Sequence, residues 1–169
     1  MLDHDSVRDR FDYEDSMTIA VTGTSRGATR GQLEQARDFL RAMFIKGYRR
    51  LRHGDCIGFD SQVARIAKEL GYYVIAHPGH PSKKPTETKY RAFTDFNDEV
   101  LPVKEFIKRD HDMVDGARLL LAAPYQDYEV NRSGTWATVR YAREKKGIPV
   151  AFVYPGRNHM SSVYAKRVK

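Results

Sequence analysis

The sequence predicts an α/β protein, a Rossmann-like three-layer sandwich with a mostly parallel sheet of about five strands. Short apolar runs alternate along the chain with segments of helical periodicity, and glycine-rich turns directly follow several of these runs. The length of 169 residues suits a single domain. Alternation of this kind is typical of a parallel sheet that helices cover on both faces, with right-handed crossovers.

Two strand-helix units and a third strand make up the first half of the prediction. Leu33, Ala36 and Leu40 recur at the spacing of one helix face, and a second such pattern ends at Gly71, a suitable C-cap. The elements are predicted, in order, as strand 18–23, helix 32–47, strand 49–55, helix 59–71 and strand 72–78.

The second half begins with a change of pattern. Residues 79–102 are polar, contain prolines and predict an excursion with one short helix. The apolar run LLLAA then indicates a buried strand between two helical patterns. The remaining elements are predicted as helix 103–117, strand 118–124, helix 133–147 and strand 148–155.

Charge is distributed unevenly along the chain. The formal net charge is +7, but residues 1–16 contain six acidic residues and only two arginines. We therefore predict an acidic N-terminal tail at 1–16, the Rossmann-like domain at 17–156 and a basic C-terminal tail at 157–169. A basic body favours an anionic partner, a nucleotide or a nucleic acid backbone, although a solubilising surface explains the charge equally well.

The sequence also bears on the compartment. No apolar run is long enough to span a bilayer, and the acidic N-terminus is unlike a secretory signal. The single cysteine, Cys56, cannot form an internal disulfide, which suits a reducing compartment. We expect a cytoplasmic protein with no membrane partner, and self-association into a homo-oligomer stays open.

Three loops are predicted to carry the function. In a parallel sheet, ligands bind beyond the carboxyl ends of the strands, where the strand order reverses. The segments GTSRGATRG, HGDCIGFD and APYQDYEVNRSGTW each follow a predicted strand and place a glycine near the start of a helix. Backbone N–H groups there can face an anion, although each segment alone is more often a simple turn. Together they predict a phosphate- or nucleotide-binding rim.

The sequence resembles the SLOG superfamily in the order and spacing of four segments. These segments are TGTSRG, HGDCIGFDSQVARIAKELG, RDHDMVDGARLLLAAP and RSGTWATVRYAREKKGIPV. Within it they are similar to the YspA-like branch, and the resemblance covers roughly residues 17–154. The superfamily has a Rossmann-like fold and includes the LOG phosphoribohydrolases, the DNA-processing protein DprA and sensor domains for nucleotide-derived signals. The resemblance therefore implies a nucleotide-like small-molecule ligand more firmly than it implies a reaction.

The resemblance also implies which residues bind the ligand. For Asp60, capping of the second helix is favoured over binding ribose hydroxyls, and for Trp136, core packing is favoured over stacking on a base. For Arg26 and Arg109, a solvent-exposed position without ligand contact is an equally good interpretation. The implied ligand-binding residues are Gly23, Thr24, Ser25, Arg26, Gly27, Gly54, Asp55, Gly58, Asp60, Arg109, Arg132, Ser133, Gly134, Thr135 and Trp136.

One departure from the LOG pattern affects the predicted activity. Where LOG hydrolases have a catalytic glutamate, this sequence has Thr138, which cannot act as a carboxylate. We therefore expect binding, either sensing or sequestration, ahead of catalysis. N-glycosidic hydrolysis, with Asp55, Asp60 or Asp127 in place of the glutamate, and DprA-like binding of single-stranded DNA are the alternatives.

No metal or cofactor is predicted. His77 and His80 form a His-x-x-His pattern, but no third or fourth ligand accompanies them. Cys56 lies near a helix start without an identifiable base, so packing is its better interpretation.

Overall fold

The computed structural model describes residues 17–156 and the backbone of residues 161–163. The predicted tail 1–16 lies outside the described residues. In chain order the elements are β1 (Thr18–Gly23), α1 (Arg30–Ile45), β2 (Arg50–His53), α2 (Phe59–Leu70), β3 (Tyr73–Ala76), β4 (Gly79–His80), β5 (Glu99–Val100), β6 (Lys104–Glu105), α3 (Phe106–Asp115), β7 (Leu119–Ala123), α4 (Gly134–Arg140), β8 (Val150–Phe152) and β9 (Ser161–Val163).

The main sheet has the order β5-β3-β2-β1-β7-β8-β9. Its strands are parallel except β9, which pairs antiparallel with β8. The order reverses between β1 and β7, whose paired register ends at Gly23 and Ala123. Chain segments leaving these two strands diverge, so the sheet has its crevice beyond their carboxyl ends. A separate pair, β4 and β6, lies beside the main sheet.

The sheet separates two apolar clusters, one on each face. Ile19 and Val21 of β1 belong to a cluster that also contains the buried side chains of α1 and α2. Ala20, between them, belongs to the other cluster together with Met113 of α3 and Trp136 of α4. Successive side chains of a strand point to opposite faces, so this division makes the molecule a three-layer sandwich. The predicted fold class is confirmed.

Local sequence explains where the helices begin and end. Thr29 and Gln32 form a reciprocal capping box that starts α1. Gly71, the predicted C-cap, ends α2 with a φ of +101°. The helix predicted at 133–147 has the expected extent, but after α4 it continues as a π-helical turn, Tyr141–Lys146, up to Gly147.

One prediction about the irregular parts needs correction, and one element was not predicted. Residues 81–98, called the strap below, contain turns and no helix, because prolines and alternating small polar residues do not sustain a helical period. Of the basic C-terminal tail predicted at 157–169, the structure describes Ser161–Val163, which pairs with β8 as β9. Three residues with two serines have too little apolar signal to predict a strand. Within the described residues, no helix is long and apolar enough to cross a membrane.

Candidate functional site

The three predicted loops meet at one cavity of about 620 Å³, at the carboxyl ends of β1 and β7. This size lies within the range of small-molecule sites, roughly 300–1,000 Å³. The cavity is also lined by residues that the sequence interpretation did not include, among them Tyr90, Asp110 and Tyr125. The implied ligand-binding residues that line it are Gly23, Thr24, Ser25, Arg26, Asp60, Arg109, Arg132, Ser133, Gly134 and Thr135.

Backbone contacts hold the β1–α1 and β2–α2 loops together. The Thr24 N–H donates to the Ala123 carbonyl oxygen at 2.9 Å, and the Phe59 N–H donates to the Thr24 carbonyl oxygen at 3.0 Å. Gly58 has a φ of +89°, and a Cβ there would lie 2.4 Å from that Thr24 oxygen. A Cβ at Gly23 would lie 2.3 Å from the Phe59 ring. These two glycines permit the close approach of the loops.

Two arginines on the rim have no carboxylate partner among the described residues 17–156. Arg26 is exposed, and its guanidinium carbon lies 4.5 Å from the centroid of the Tyr125 ring. Arg132 is also exposed and has a φ of +60°. The rim of the cavity therefore presents two positive charges that an anion can neutralise.

Arg109 has a different environment, because it is buried beneath the cavity. Its Nη1 donates to the carbonyl oxygens of Gly54 and His77, and its Nε donates to Asp110 at 2.6 Å. Burial disfavours the charged guanidinium, but Asp110, Cys56 and Asp60 together raise the pKa of Arg109. Arg109 thus joins α3 to the β2–α2 loop and to the end of β3.

Asp60 does not cap α2, so the favoured sequence interpretation was wrong. The N-cap of α2 is Gly58, and Asp60 instead accepts a hydrogen bond from the Gly54 N–H at 2.9 Å. Burial raises the pKa of Asp60 to about 7, although Arg109 opposes the rise. The floor of the cavity thus contains a carboxyl group that titrates near neutral pH.

Asp110 is the second carboxyl group of the floor, and the sequence interpretation missed it. Burial raises its pKa, while Arg109 and a hydrogen bond with Thr138 oppose this. Phe106 and Met113, four residues before and three residues after Asp110 on α3, also line the cavity. Helical spacing around Arg109 could have indicated this face.

Asp55 lies away from the cavity and fastens the strap to the β2–α2 loop. It is buried, with a φ of +51°. Its Oδ2 accepts a hydrogen bond from Arg91 Nε at 3.0 Å, and its Oδ1 accepts from the Thr94 N–H at 3.1 Å and hydroxyl at 2.8 Å. The Asp55 carbonyl oxygen also accepts from the Ala92 N–H at 2.7 Å. With its acceptors used in this way, Asp55 has a positioning role.

The other implied residues outside the cavity lining are Gly27, Gly54, Gly58 and Trp136. Gly54 packs against Arg109, since a Cβ there would lie 2.6 Å from its Nη1. Trp136 is buried and contacts Phe152, with ring centroids 5.5 Å apart, as the core interpretation expected. Burial raises the pKa of the Cys56 thiol to about 12, so it is no thiolate nucleophile. No cluster of three or more metal-ligating side chains occurs in the described part of the chain.

Comparison with protein-family models gave no match to the sequence, and comparison with curated proteins gave none. Solved structures do match. The molybdenum cofactor binding protein from the phototrophic bacterium Rippkaea orientalis is 21% identical over 82% of this chain and 77% of its own, with a TM-score of 0.58. The molybdenum cofactor carrier protein from Chlamydomonas reinhardtii is 23% identical over 80% of this chain and 74% of its own, with a TM-score of 0.55.

DNA processing protein A from Streptococcus pneumoniae is also similar, at 18% identity and a TM-score of 0.58. The match covers 82% of this chain but only 50% of the DprA chain. These neighbours are SLOG-superfamily proteins, which agrees with the resemblance stated from the sequence motifs. At such identities the similarity shows the fold. The chain therefore has the Rossmann-like fold of the SLOG-superfamily proteins.

Proposed function

We propose that the cavity binds a small, negatively charged, nucleotide-derived ligand, which the protein senses or sequesters. The observation that carries this proposal is the pair of exposed arginines, Arg26 and Arg132, which lack carboxylate partners in the described structure and line the same cavity. Arginine suits phosphate because its planar fork can donate two parallel hydrogen bonds. We further propose a cytoplasmic location, as the sequence led us to expect.

Neutral donors near the arginines support the same ligand chemistry. Ser25 is exposed on the β1–α1 loop and lines the cavity with Thr135 of α4. Gly134, also in the lining, has no atom within 4 Å of the position that a Cβ would take. An oxygen-rich group can therefore approach this wall without meeting a side chain.

The ligands of similar solved structures support an anionic ligand for this cavity. Two of these structures are described as molybdenum cofactor binding or carrier proteins, and another, from Helicobacter pylori, is described by its single-stranded DNA binding mode. Both kinds of ligand are anionic. A phosphate-bearing small molecule fits a cavity of about 620 Å³ better than a long strand does, so we favour it.

Calorimetric titration tests the proposal with AMP, NAD, cyclic nucleotides, the molybdenum cofactor and a single-stranded oligonucleotide as probes. We expect Arg26→Gln and Arg132→Gln each to weaken binding of the best small probe about tenfold, the equivalent of about 1.4 kcal/mol. Arg118→Gln is the matched control. Arg118 is exposed and directly precedes β7, so it lies at the amino ends of the strands, away from the cavity at their carboxyl ends.

Equal losses in all three variants, or no binding of any small probe, would reject the proposal. Binding of the oligonucleotide alone, with affinity that falls steeply as salt rises, would instead indicate a DprA-like activity.

N-glycosidic hydrolysis is the second candidate, because a carboxyl group lies near Thr138, the residue that stands where LOG hydrolases have a catalytic glutamate. Asp110 lines the cavity, and the nearby Thr138 side chain, whose hydroxyl donates to the Gly134 carbonyl oxygen at 3.0 Å, acts to lower the Asp110 pKa. Asp55 is engaged by the strap and Asp127 does not line the cavity, which leaves Asp60 and Asp110 as the carboxyl groups there. Release of free base from AMP, abolished in Asp110→Asn, would establish hydrolysis. Tight binding without base release would exclude it for AMP.

A further inference from the structure

We infer that Tyr90 is the base-stacking wall of the cavity, so that the ligand carries a planar heterocyclic base besides its phosphate. This inference rests on the proposed function and specifies its ligand class. Tyr90 belongs to the strap, and its side chain lines the cavity although 39% of the residue stays exposed. A half-open aromatic ring at a cavity wall offers a face on which a base can stack.

The strap holds Tyr90 rigidly in this position. The Tyr90 carbonyl oxygen accepts a hydrogen bond from the Ile57 N–H at 2.9 Å, and the next residue, Arg91, forms a β-bridge with Cys56. Arg91 and Thr94 are fastened by Asp55, as described above. The backbone of Tyr90 is therefore fixed before a ligand arrives, which lowers the entropic cost of stacking.

A histidine secures the far end of the same segment. His53 Nδ1 accepts a hydrogen bond from the Asp55 N–H at 3.1 Å, which leaves the proton on Nε2 to donate to Asn97 Oδ1 at 2.6 Å. Asn97 in turn donates to the Thr94 carbonyl oxygen at 2.9 Å. These contacts tie the strap to the end of β2 at several points, so its position over the β2–α2 loop is well determined.

The topology of the sheet separates the Tyr90 ring from Arg132, which lies on the loop that follows β7. β2 and β7 lie on opposite sides of β1. Tyr90 is attached to the loop that follows β2, whereas Arg132 belongs to the loop that follows β7. The two residues therefore approach the cavity from opposite sides. A nucleotide has its base and phosphate at opposite ends of the ribose, which suits this arrangement.

The other candidates for the base-stacking residue are less suitable. Trp136 is buried in the core and does not line the cavity. One face of Tyr125 is already covered by Arg26. Phe106 and Met113, which are also in the lining, supply apolar surface next to the carboxyl group of Asp110. Lys89 Nζ lies 5.3 Å from the centroid of the Tyr90 ring, so Tyr90, like Tyr125, has a cation near one face. Tyr90 is preferred because it lies on the other side of β1 from the β7 loop, which carries both Tyr125 and Arg132.

Calorimetric titration of AMP and of ribose 5-phosphate, which lacks the base, tests the inference. Stacking on an aromatic side chain is worth about 1–3 kcal/mol per base, so Tyr90→Ala should weaken AMP binding roughly 5- to 150-fold. Binding of ribose 5-phosphate should change less than about twofold, because it gains nothing from the ring. Tyr90→Phe should keep most of the AMP affinity. Tyr128→Ala is the control, since Tyr128 is exposed but outside the cavity lining.

A second measurement does not depend on the alanine variant. In Tyr90→Trp, AMP should quench the fluorescence of the new tryptophan, whereas ribose 5-phosphate should not. Trp136 is the one natural tryptophan and is buried, so it adds a constant background. Equal losses of both ligands in Tyr90→Ala, or unchanged AMP binding, would overturn the inference. If the wild type binds both probes equally well, the inference that a base stacks on Tyr90 is wrong, and the proposal that the cavity binds an anion is retained. If it binds neither, both proposals fail.

Discussion

The guanidinium of Arg26 lies over the ring of Tyr125, with 4.5 Å between the guanidinium carbon and the ring centroid. The two residues come from loops that follow different strands, β1 and β7, so the contact spans the point at which the strand order reverses. It holds an exposed arginine at the cavity rim without neutralising its charge.

We predict that Tyr125→Leu weakens anion binding although Arg26 remains. Exposed cation–π contacts are worth about 0.5–1 kcal/mol, so the expected loss of affinity is about two- to fivefold. Stability should change little, because Tyr125 is exposed. Calorimetric titration with AMP measures the effect, and Tyr128→Leu is the control. A loss of tenfold or more would mean that Tyr125 contacts the ligand itself.

Gly58 supplies a second prediction, this time about folding. Gly58→Ala should lower the free energy of unfolding by about 3 kcal/mol or more, because it combines an unfavourable positive φ with a backbone clash. Gly27→Ala separates the two causes: its φ is also positive, at +91°, but no atom lies within 4 Å of the added Cβ. That variant should lose only about 1–2 kcal/mol. Urea denaturation measures both, and equal losses would contradict the proposed close approach of the loops.

Much of the fold could be predicted because its signals are local. The apolar runs of β1 and β7 are buried completely, and the helical patterns of α1 and α2 place Ala36, Leu40 and Val63 in the core. Because ligands of a parallel sheet bind beyond the carboxyl ends of the strands, the glycine-rich loops could then be predicted to lie together, although they are distant in sequence. The strap and β9 were not predictable in this way, because their positions depend on contacts with remote residues and not on a periodic pattern.

The site was predicted less completely for a related reason. Asp55 and Asp60 are five positions apart, and each comes one or two residues after a glycine, yet only Asp60 lines the cavity. The left-handed backbone of Asp55 turns its side chain toward Arg91 and Thr94 of the strap. That choice depends on residues almost 40 positions away. Asp110 was missed because motif matching selected Arg109 and ignored its neighbour.

His77 provides a prediction about acid stability. Its Nε2 lies 3.4 Å from Arg52 Nη1, which can only donate, so the neutral ring is the acceptor. Burial lowers the pKa of His77 to about 3, and the charges of Arg52 and Arg109 act in the same direction, against Asp112. Between pH 3 and 6.5 the unfolded chain therefore binds the extra proton, and stability falls as the pH falls.

His77→Gln should remove this dependence while keeping an acceptor for Arg52. Relative to the variant, the wild type should lose up to roughly 2–3 kcal/mol between pH 6.5 and pH 4.5. Urea denaturation at several pH values measures the difference, with His80→Gln as the half-buried control. Parallel profiles for wild type and His77→Gln would show that His77 is not held neutral by the fold.

Asp60 is expected to act in the opposite sense. Its pKa is raised to about 7 by burial, from an ordinary value of 3.8, so the folded protein binds the proton that the unfolded chain releases in this range. Stability is therefore greatest, for this group, below about pH 4 and is lost progressively as the pH rises toward 7. Asp60→Asn imitates the protonated carboxyl and still offers an oxygen to the Gly54 N–H.

We predict that wild type loses stability relative to Asp60→Asn as the pH rises from about 4 to 7, by at most about 1.4 kcal/mol per pH unit. Asp38→Asn is the control, because that side chain is 78% exposed and far from Arg109 along the chain. The free energy of unfolding, measured against pH with a ligand present, also tests the cavity. An anion bound at the rim disfavours the ionised carboxylate of Asp60. Saturating AMP should therefore shift the pH dependence of stability to higher pH, and the shift should be larger for wild type than for Asp60→Asn, in which Asp110 is the remaining carboxyl group of the floor. If AMP binds but shifts neither profile, Asp60 does not face the bound anion.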